Sequence, residues 1–264
     1  MITDFIAAEL LDALDRNTLL APITERQPGF DVEAAYEVSA EILRRRRARS
    51  ERPLGRKIGF TNRTVWPQYG VMWAPVYHST VTLLEGAAGS QAIGHLAQPR
   101  LEPEVVLHFR SAPPVTADEA ALLSHVDWIA LGYEIVQSHF PGWTFQAADA
   151  IAGFGLHGAL VVGPRRQVSE LPNLVAQLRS FTVELARDGV VRARGGGANV
   201  LDSPLLATAE LLRVLADQPQ FEPIQAGEIV TTGTLTPLVD IHAGETWSTA
   251  VSGIELDRLR VQFR

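Results

Sequence analysis

The sequence contains no cysteine, which excludes disulfides, thiolate-held metals and a cysteine nucleophile and suits a reducing compartment. It also lacks any apolar stretch long enough to cross a bilayer. The opening segment MITDFIAAELLDALDRN breaks its apolar residues with Asp4, Glu9, Asp12 and Asp15, unlike a secretory signal, so a soluble, cytoplasmic protein is expected. Positive charge is in short supply. The formal net charge of −7 gives no electrostatic footprint for nucleic acid. The run Arg44–Arg47 is a local exception. It follows VEAAYEVSAEIL, whose apolar residues recur at helical spacing, and reads as the solvated, cationic end of a helix, complementing its dipole. No internal repeat or low-complexity segment is present.

What is present suffices for a full core. With 264 residues, 46% of them hydrophobic, the chain fits one large domain or one domain with a small appendage. Residues 4–16 and 31–47 show helical periodicity, joined by LLAPITERQPGF with its two prolines and one glycine. From GRKIGF onward the pattern changes to short runs rich in Val, Ile and Leu between turn residues: VTLL, EVVLHF, WIALGYEIV, GALVVG, FTVELARDG, EIVTTGTL and ELDRLRVQF. ADEAALLSHV and SPLLATAELLRVLADQ interrupt them with helical spacing, the second opening on Ser203 as N-cap and Pro204 as first residue. Asp188-Gly189, between the β-like runs of FTVELARDGVVRARG, marks a hairpin. Strands outnumber helices and do not alternate with them regularly. That disfavours a doubly wound parallel sheet and predicts an α+β, mainly β architecture. Residues 1–52 form its N-terminal helical region and 53–264 its β-rich part, together one compact unit.

Charges inside the β-like runs point to chemistry. In RLEPEVVLHF, strand alternation turns Glu102 and Glu104 to one face and Val105, Leu107 and Phe109 to the other. Two carboxylates side by side repel unless a metal ion, a Lys or Arg, or bulk water lies between them. A hard divalent cation would take their oxygens and leave positions for water or substrate. Glu134 offers a third carboxylate, alone in the apolar run from Trp128 to Val136 and expensive to bury without a partner. A solvated strand end for the first two and a buried salt bridge for Glu134 would explain the same pattern, because E-x-E is a weak motif. Lys57 is either an exposed edge charge or a group facing the carboxylates, where it would hold an anionic substrate or shuttle a proton. The threonines around Gly233 in VTTGTLTPLVDIHAGETW either clasp a carboxylate or simply favour a strand.

Taken in order, GRKIGFTN, YGV, PRLEPEVVLHF, ALGYEIVQS, DAIAGFGLHGALVVG, SPLLATAELLRVLA and AGEIVTTGTLTPLVDIHAGET resemble the fumarylacetoacetate hydrolase superfamily. Within it, they resemble the 2-keto-4-pentenoate hydratase and 4-oxalocrotonate decarboxylase family. The resemblance spans nearly the whole chain and rests on order and spacing. It implies a mixed-sheet β roll or barrel with an N-terminal helical region, assembled as a homo-oligomer. It implies Mg²⁺ or Mn²⁺ held by Glu102, Glu104 and Glu134, with Lys57 as the active-site lysine and Thr232 and Thr234 on the substrate's acid group. The implied substrate is a small 2-keto acid, chelated to a cation acting as Lewis acid. Water would add to a 2-keto-4-enoate to give a 4-hydroxy-2-keto acid, late in the breakdown of aromatic compounds. Neither nucleic acid nor membrane is an expected partner.

Two stretches depart from the family pattern. Where the hydratases carry P-D-x-G, this chain has PVYHS, with Val76 at the aspartate position and Tyr77 and His78 as candidates to assist proton movement instead. Where the family tends to D-N-x-S before a glycine, this chain has Gly153, Phe154, Gly155 and Leu156. Polar contacts become apolar there, and a bulkier or less charged substrate is expected against Phe154 and Leu156. His157 follows as a candidate substrate contact. Three readings stand: a metal-dependent hydratase; a sibling decarboxylase of a 4-oxalocrotonate-like 2-keto-3-enedioate or C–C hydrolase of acylpyruvate type, since fold does not fix reaction; and a noncatalytic homologue that binds a keto acid or a partner protein. No clear His–Glu pair precedes Lys57, which counts against the hydrolase.

Overall fold

The computed structural model describes residues 2–63, 74–78, 81–83 and 86–264, with backbone alone for 74–78 and 81–83. Both expected N-terminal helices form, as α1 (Ile2–Arg16) and α3 (Val32–Ala48). The Asp31 carboxylate starts α3 by accepting from Ala34 N at 2.9 Å, which satisfies one of the first-turn N–H groups that a helix leaves unpaired. The arginines at its other end are less solvated than expected: Arg45 reaches Glu41 at 2.5 Å and Asp4 at 3.0 Å, and Arg46 reaches Glu51 at 2.6 Å. The connection between the two helices holds a single further turn, α2 (Ile23–Arg26).

Farther on come α4 (Glu119–Ser124), α5 (Ala147–Ala152), α6 (Leu174–Ser180) and α7 (Pro204–Ala216). Ser203 caps α7 as its sequence predicts, its hydroxyl accepting from Leu205 N at 3.2 Å. Every residue of α5 is buried, so it shows no polar stripe by which a helix is read from sequence.

The strands are β1 (Gly55–Gly59), β2 (Ala74–His78), β3 (Val81–Leu83), β4 (Ala88–Gln91), β5 (Arg100–Phe109), β6 (Val126–Val136), β7 (His157–Val162), β8 (Arg166–Gln167), β9 (Thr182–Arg187), β10 (Val190–Gly196), β11 (Ile229–Thr234), β12 (Val239–Asp240), β13 (Thr246–Ser252) and β14 (Arg260–Phe263). The larger sheet runs β2-β1-β11-β5-β6-β7-β3, with β12 beside β5 and β8 beside β6; the smaller runs β10-β9-β13-β14-β4. Parallel pairs, β1 with β11 and β3 with β7, sit among antiparallel ones. Because β2 also packs beside β7, the large sheet curls back on itself into the mixed roll expected. The β9–β10 hairpin turns at Asp188 and Gly189, with φ of 49° and 81°, as a two-residue turn with both residues left-handed requires.

Strands β5 and β6 form the long central ladder. One face carries Leu101, Val105, Leu107, Ile129, Tyr133 and Ile135 into the main core, shared with helices and the smaller sheet. The opposite face changes character along its length. Val106, Trp128, Ala130, Leu160, Val162 and Ile229 make a separate apolar cluster, and past it, on the same alternation, stand Glu104, Glu102 and Glu134. Gly132 keeps this face tight, since a Cβ there would meet Val106 Cγ2 at 2.5 Å.

The N-terminal helices enter the same main core through Ile6, Leu10, Tyr36 and Ile42. They are also tied to α5. The Asp149 carboxylate accepts from Thr24 N at 2.9 Å and Thr24 Oγ1 at 2.7 Å, while Ser39 Oγ donates to Ile151 O at 2.8 Å. Among the described residues no helix is long and apolar enough to cross a membrane.

Candidate metal centre and substrate cavity

Glu102 opposes Glu134 across the β5–β6 ladder, and Glu104 opposes Gly132. The E-x-E spacing puts the first two side chains on one face, and antiparallel register adds the third. One oxygen from each of Glu102, Glu104 and Glu134 lies within 4.8 Å of the others. Glu104 Oε2 accepts from Gly233 N at 2.6 Å. Glu134 Oε1 is 2.7 Å from Lys57 Nζ and 2.9 Å from His157 Nδ1. Lys57, the only lysine in the sequence, is 4% exposed. It is no edge charge, because β1 lies between β2 and β11.

Three carboxylates against one ammonium leave a formal charge of −2 in a buried place. The carboxyl groups respond accordingly. Burial, with repulsion from Glu134, pushes Glu102 up to about 7 and Glu104 well above the usual carboxylate range. Burial works against the Lys57 ammonium, but Glu134, Glu102 and Glu104 together outweigh it, so Lys57 holds its proton more tightly than a free lysine. His157 is lowered by burial; it is neutral, with Nδ1–H donating to Glu134. The donor set suits a hard divalent cation: oxygen ligands alone, and an excess of two negative charges from the three carboxylates and one lysine.

Glu102 and Glu104 border a cavity of about 540 Å³, whereas Glu134 is fully buried off its wall, paired with Lys57. Lys57, Glu102, Glu104 and Thr234 belong to its wall, as do the apolar Trp143, Phe145, Ile151, Leu156 and Leu238. Thr232 does not. A bulge between Thr231 and Thr234 turns the Thr232 hydroxyl to Val105 O at 3.2 Å and brings Thr234 into register with Glu104. The bulge needs glycine at its centre: Gly233 has φ of 110°, and a Cβ there would lie 1.7 Å from Thr61 Oγ1.

The departure from the family pattern at residues 153–157 also divides. Leu156 and Gly155 line the cavity. Phe154 lies off its wall, edge-on to His139 with ring centroids 6.1 Å apart and 6.0 Å from the Arg46 guanidinium. Phe154, Gly155 and Leu156 have φ of 62°, 55° and 62°, a left-handed run that two non-glycine residues adopt only under strain. This turn delivers His157 to Glu134. His157 is therefore no part of the cavity wall, as a substrate contact would be, but a support for a carboxylate.

In β2 the backbone register sets Val76 opposite Lys57 and His78 opposite Gly55; the side chains of Val76, Tyr77 and His78 lie outside the described residues. Sequence reasoning overlooked Arg100 and Trp143, both on the cavity wall. The signal for Arg100 was present, since it precedes Glu102 by two residues and shares its face.

Residues 77–262 match the family model for the fumarylacetoacetate (FAA) hydrolase C-terminal region. The chain belongs to the fumarylacetoacetate hydrolase family. Among other members, it is 30% identical over 255 residues to 2-hydroxyhexa-2,4-dienoate hydratase of Comamonas testosteroni, covering 93% of this chain and 92% of that one. It is 30% identical over 261 residues to 2-keto-4-pentenoate hydratase 2 of Dechloromonas aromatica (strain RCB), covering 96% and 97%. The fold of this fumarylacetoacetate hydrolase family member is that of 4-oxalocrotonate decarboxylase from Pseudomonas putida G7, solved with magnesium and adipate: the TM-score is 0.89 at 22% identity, over 99% of this chain and 97% of that one.

Proposed function

We propose that this chain is a divalent-cation-dependent hydratase that adds water to a 2-hydroxy-2,4-dienoate, the enol of a 2-keto-4-enoate, and forms a 4-hydroxy-2-keto acid. The observation that carries this reading is the convergence of Glu102, Glu104 and Glu134 within 4.8 Å, beside the only lysine, with Glu102 and Glu104 on a cavity wall. The identity of 30% to a 2-hydroxyhexa-2,4-dienoate hydratase over nearly the full length supports the reaction class.

Glu102, Glu104 and Glu134 would hold the cation, Mg²⁺ or Mn²⁺ by the preference of those ions for carboxylate oxygen. Bound there, it supplies Lewis acidity toward the carboxylate and 2-oxygen of the substrate. The remaining work falls to side chains. Lys57 keeps a proton on Nζ, held 2.7 Å from Glu134 Oε1, and faces the cavity, so it can attract the substrate anion and deliver a proton as the dienol becomes a ketone. His157 Nδ1 donates to the same Glu134 oxygen at 2.9 Å and fixes the orientation of that carboxylate, as groups that support a metal ligand commonly do. The Thr234 hydroxyl on the wall donates its one proton to Thr236 O at 2.8 Å, so it would have to turn from that carbonyl to donate to the acid group. Apolar side chains on the cavity wall fix the orientation of the diene.

The test compares 2-hydroxypenta-2,4-dienoate with 2-oxohex-3-enedioate, each after chelation and after Mg²⁺ is restored. Water addition to the first, abolished by chelation, is the expected result. Carbon dioxide from the second alone would make the protein a decarboxylase. If chelation alters neither turnover nor melting temperature, the cation-dependent reading fails.

A further inference from the structure

The cavity follows strand β5 outward. Arg100, Glu102 and Glu104 alternate along one face, and two residues of strand advance roughly 7 Å. Arg100 and Val136, opposed in the ladder, therefore lie one step beyond Glu102 and Glu134, on the side away from Glu104. Both border the cavity, together with Trp143, Phe145 and Leu156. Arg100 is the cation of this outer part, and it is already engaged. Its Nε donates to Asp240 Oδ1 at 2.7 Å and its guanidinium lies 4.3 Å over the Trp143 ring, while the indole Nε1 is anchored to Gln98 O at 3.0 Å. A second substrate carboxylate there would share a guanidinium whose charge Asp240 already balances, and would meet repulsion from that carboxylate.

Leu156 carries the same message from its backbone. At φ of 62°, Asn or Gly would fit with less strain, yet an apolar side chain occupies this place on the cavity wall. Size agrees. A volume of about 540 Å³ falls in the range of cavities for ligands much larger than 2-hydroxypenta-2,4-dienoate, a five-carbon acid.

We propose that the substrate is a monocarboxylic 2-hydroxy-2,4-dienoate with an apolar group of several carbons on C5, seated against Trp143 and Leu156. The Arg100–Asp240 pair and these two side chains select against a dicarboxylate. This inference rests on the hydratase reading and narrows its substrate class.

Calorimetry with Mg²⁺-loaded protein and three unreactive analogues tests it: 2-oxopentanoate, 2-oxononanoate and 2-oxohexanedioate. The nine-carbon acid should bind at least about tenfold tighter than the five-carbon one, in line with the tenfold or more that a single methylene can contribute in an apolar pocket, and the dicarboxylate should bind weakest. Leu156→Asn tolerates the left-handed backbone, so it should melt like the parent while bringing the ratio of the first two toward one. Equal affinities for all three, tightest binding of the dicarboxylate, or an undiminished ratio in Leu156→Asn would overturn the proposal and leave the hydratase reading standing. If none of the three binds in a Mg²⁺-dependent way, the hydratase reading itself fails.

Discussion

At one end of the β5–β6 ladder Glu102 faces Glu134; at the other His108 faces Trp128, on the same face of the same strands. The second pair is complete within the protein. Its rings stack with centroids 4.8 Å apart and planes 8° from parallel, and His108 Nδ1 lies 2.6 Å from Asp127 Oδ1. The first pair opposes like charges, which destabilises a sheet, and adds a third carboxylate for which the single ammonium of Lys57 is too little. One end is finished by folding. The other gains its balance from what binds there.

Four measurements would break or sharpen that contrast. Lys57→Met should lower kcat by about 10²- to 10⁴-fold, the range for removing a proton-transfer group, while the Mg²⁺-loaded chain still folds and still binds its cation. A chain that fails to fold would instead give Lys57 a structural task. Glu134→Gln should weaken Mn²⁺ binding by about 100-fold or more in calorimetry, beyond the 10- to 100-fold typical of losing a group behind a ligand; unchanged affinity would move the ion elsewhere.

The third measurement uses pH. Glu102 is raised to about 7 in the folded chain from 4.5, so the folded state binds more protons than the unfolded one between those values, and stability from this carboxyl falls as pH climbs through that window. A cation replaces the proton. The rise in melting temperature on adding Mg²⁺ should thus be small near pH 5.5 and grow as pH passes 7, and a rise independent of pH would contradict the carboxylate site. The smallest effect belongs to the finished end. Asp127→Ala should cost about 1 kcal/mol, as loss of a partly exposed side-chain hydrogen bond does, with Mn²⁺ affinity and turnover unchanged; a drop in either would show the two ends to be coupled.

Much of this was legible in the sequence, and unevenly so. The two-residue repeat of a strand is enough to align Glu102 with Glu104, and an isolated carboxylate in an apolar run is enough to single out Glu134. The Ser203 cap and the Asp188-Gly189 turn are equally local. What stayed hidden depends on register and surroundings. Thr232 and Thr234 look equivalent until the bulge at Gly233 separates them, and no spacing rule brings His157 to Glu134, because a strained left-handed turn does so. Lys57 could not be assigned to edge or interior until β2 was seen to flank it. The wholly buried helix α5 offers no periodicity to read.

The solitary, 4% exposed lysine has a practical outcome. Apart from the terminal amine, the outer surface has no primary amine for dyes, crosslinkers or acetylating agents to find. Any second label taken up by the chain must have entered beside the three glutamates. Because Lys57 holds its proton tightly there, mild labelling should stop at one label, and a second, read by mass, would report loss of its ion pair with Glu134.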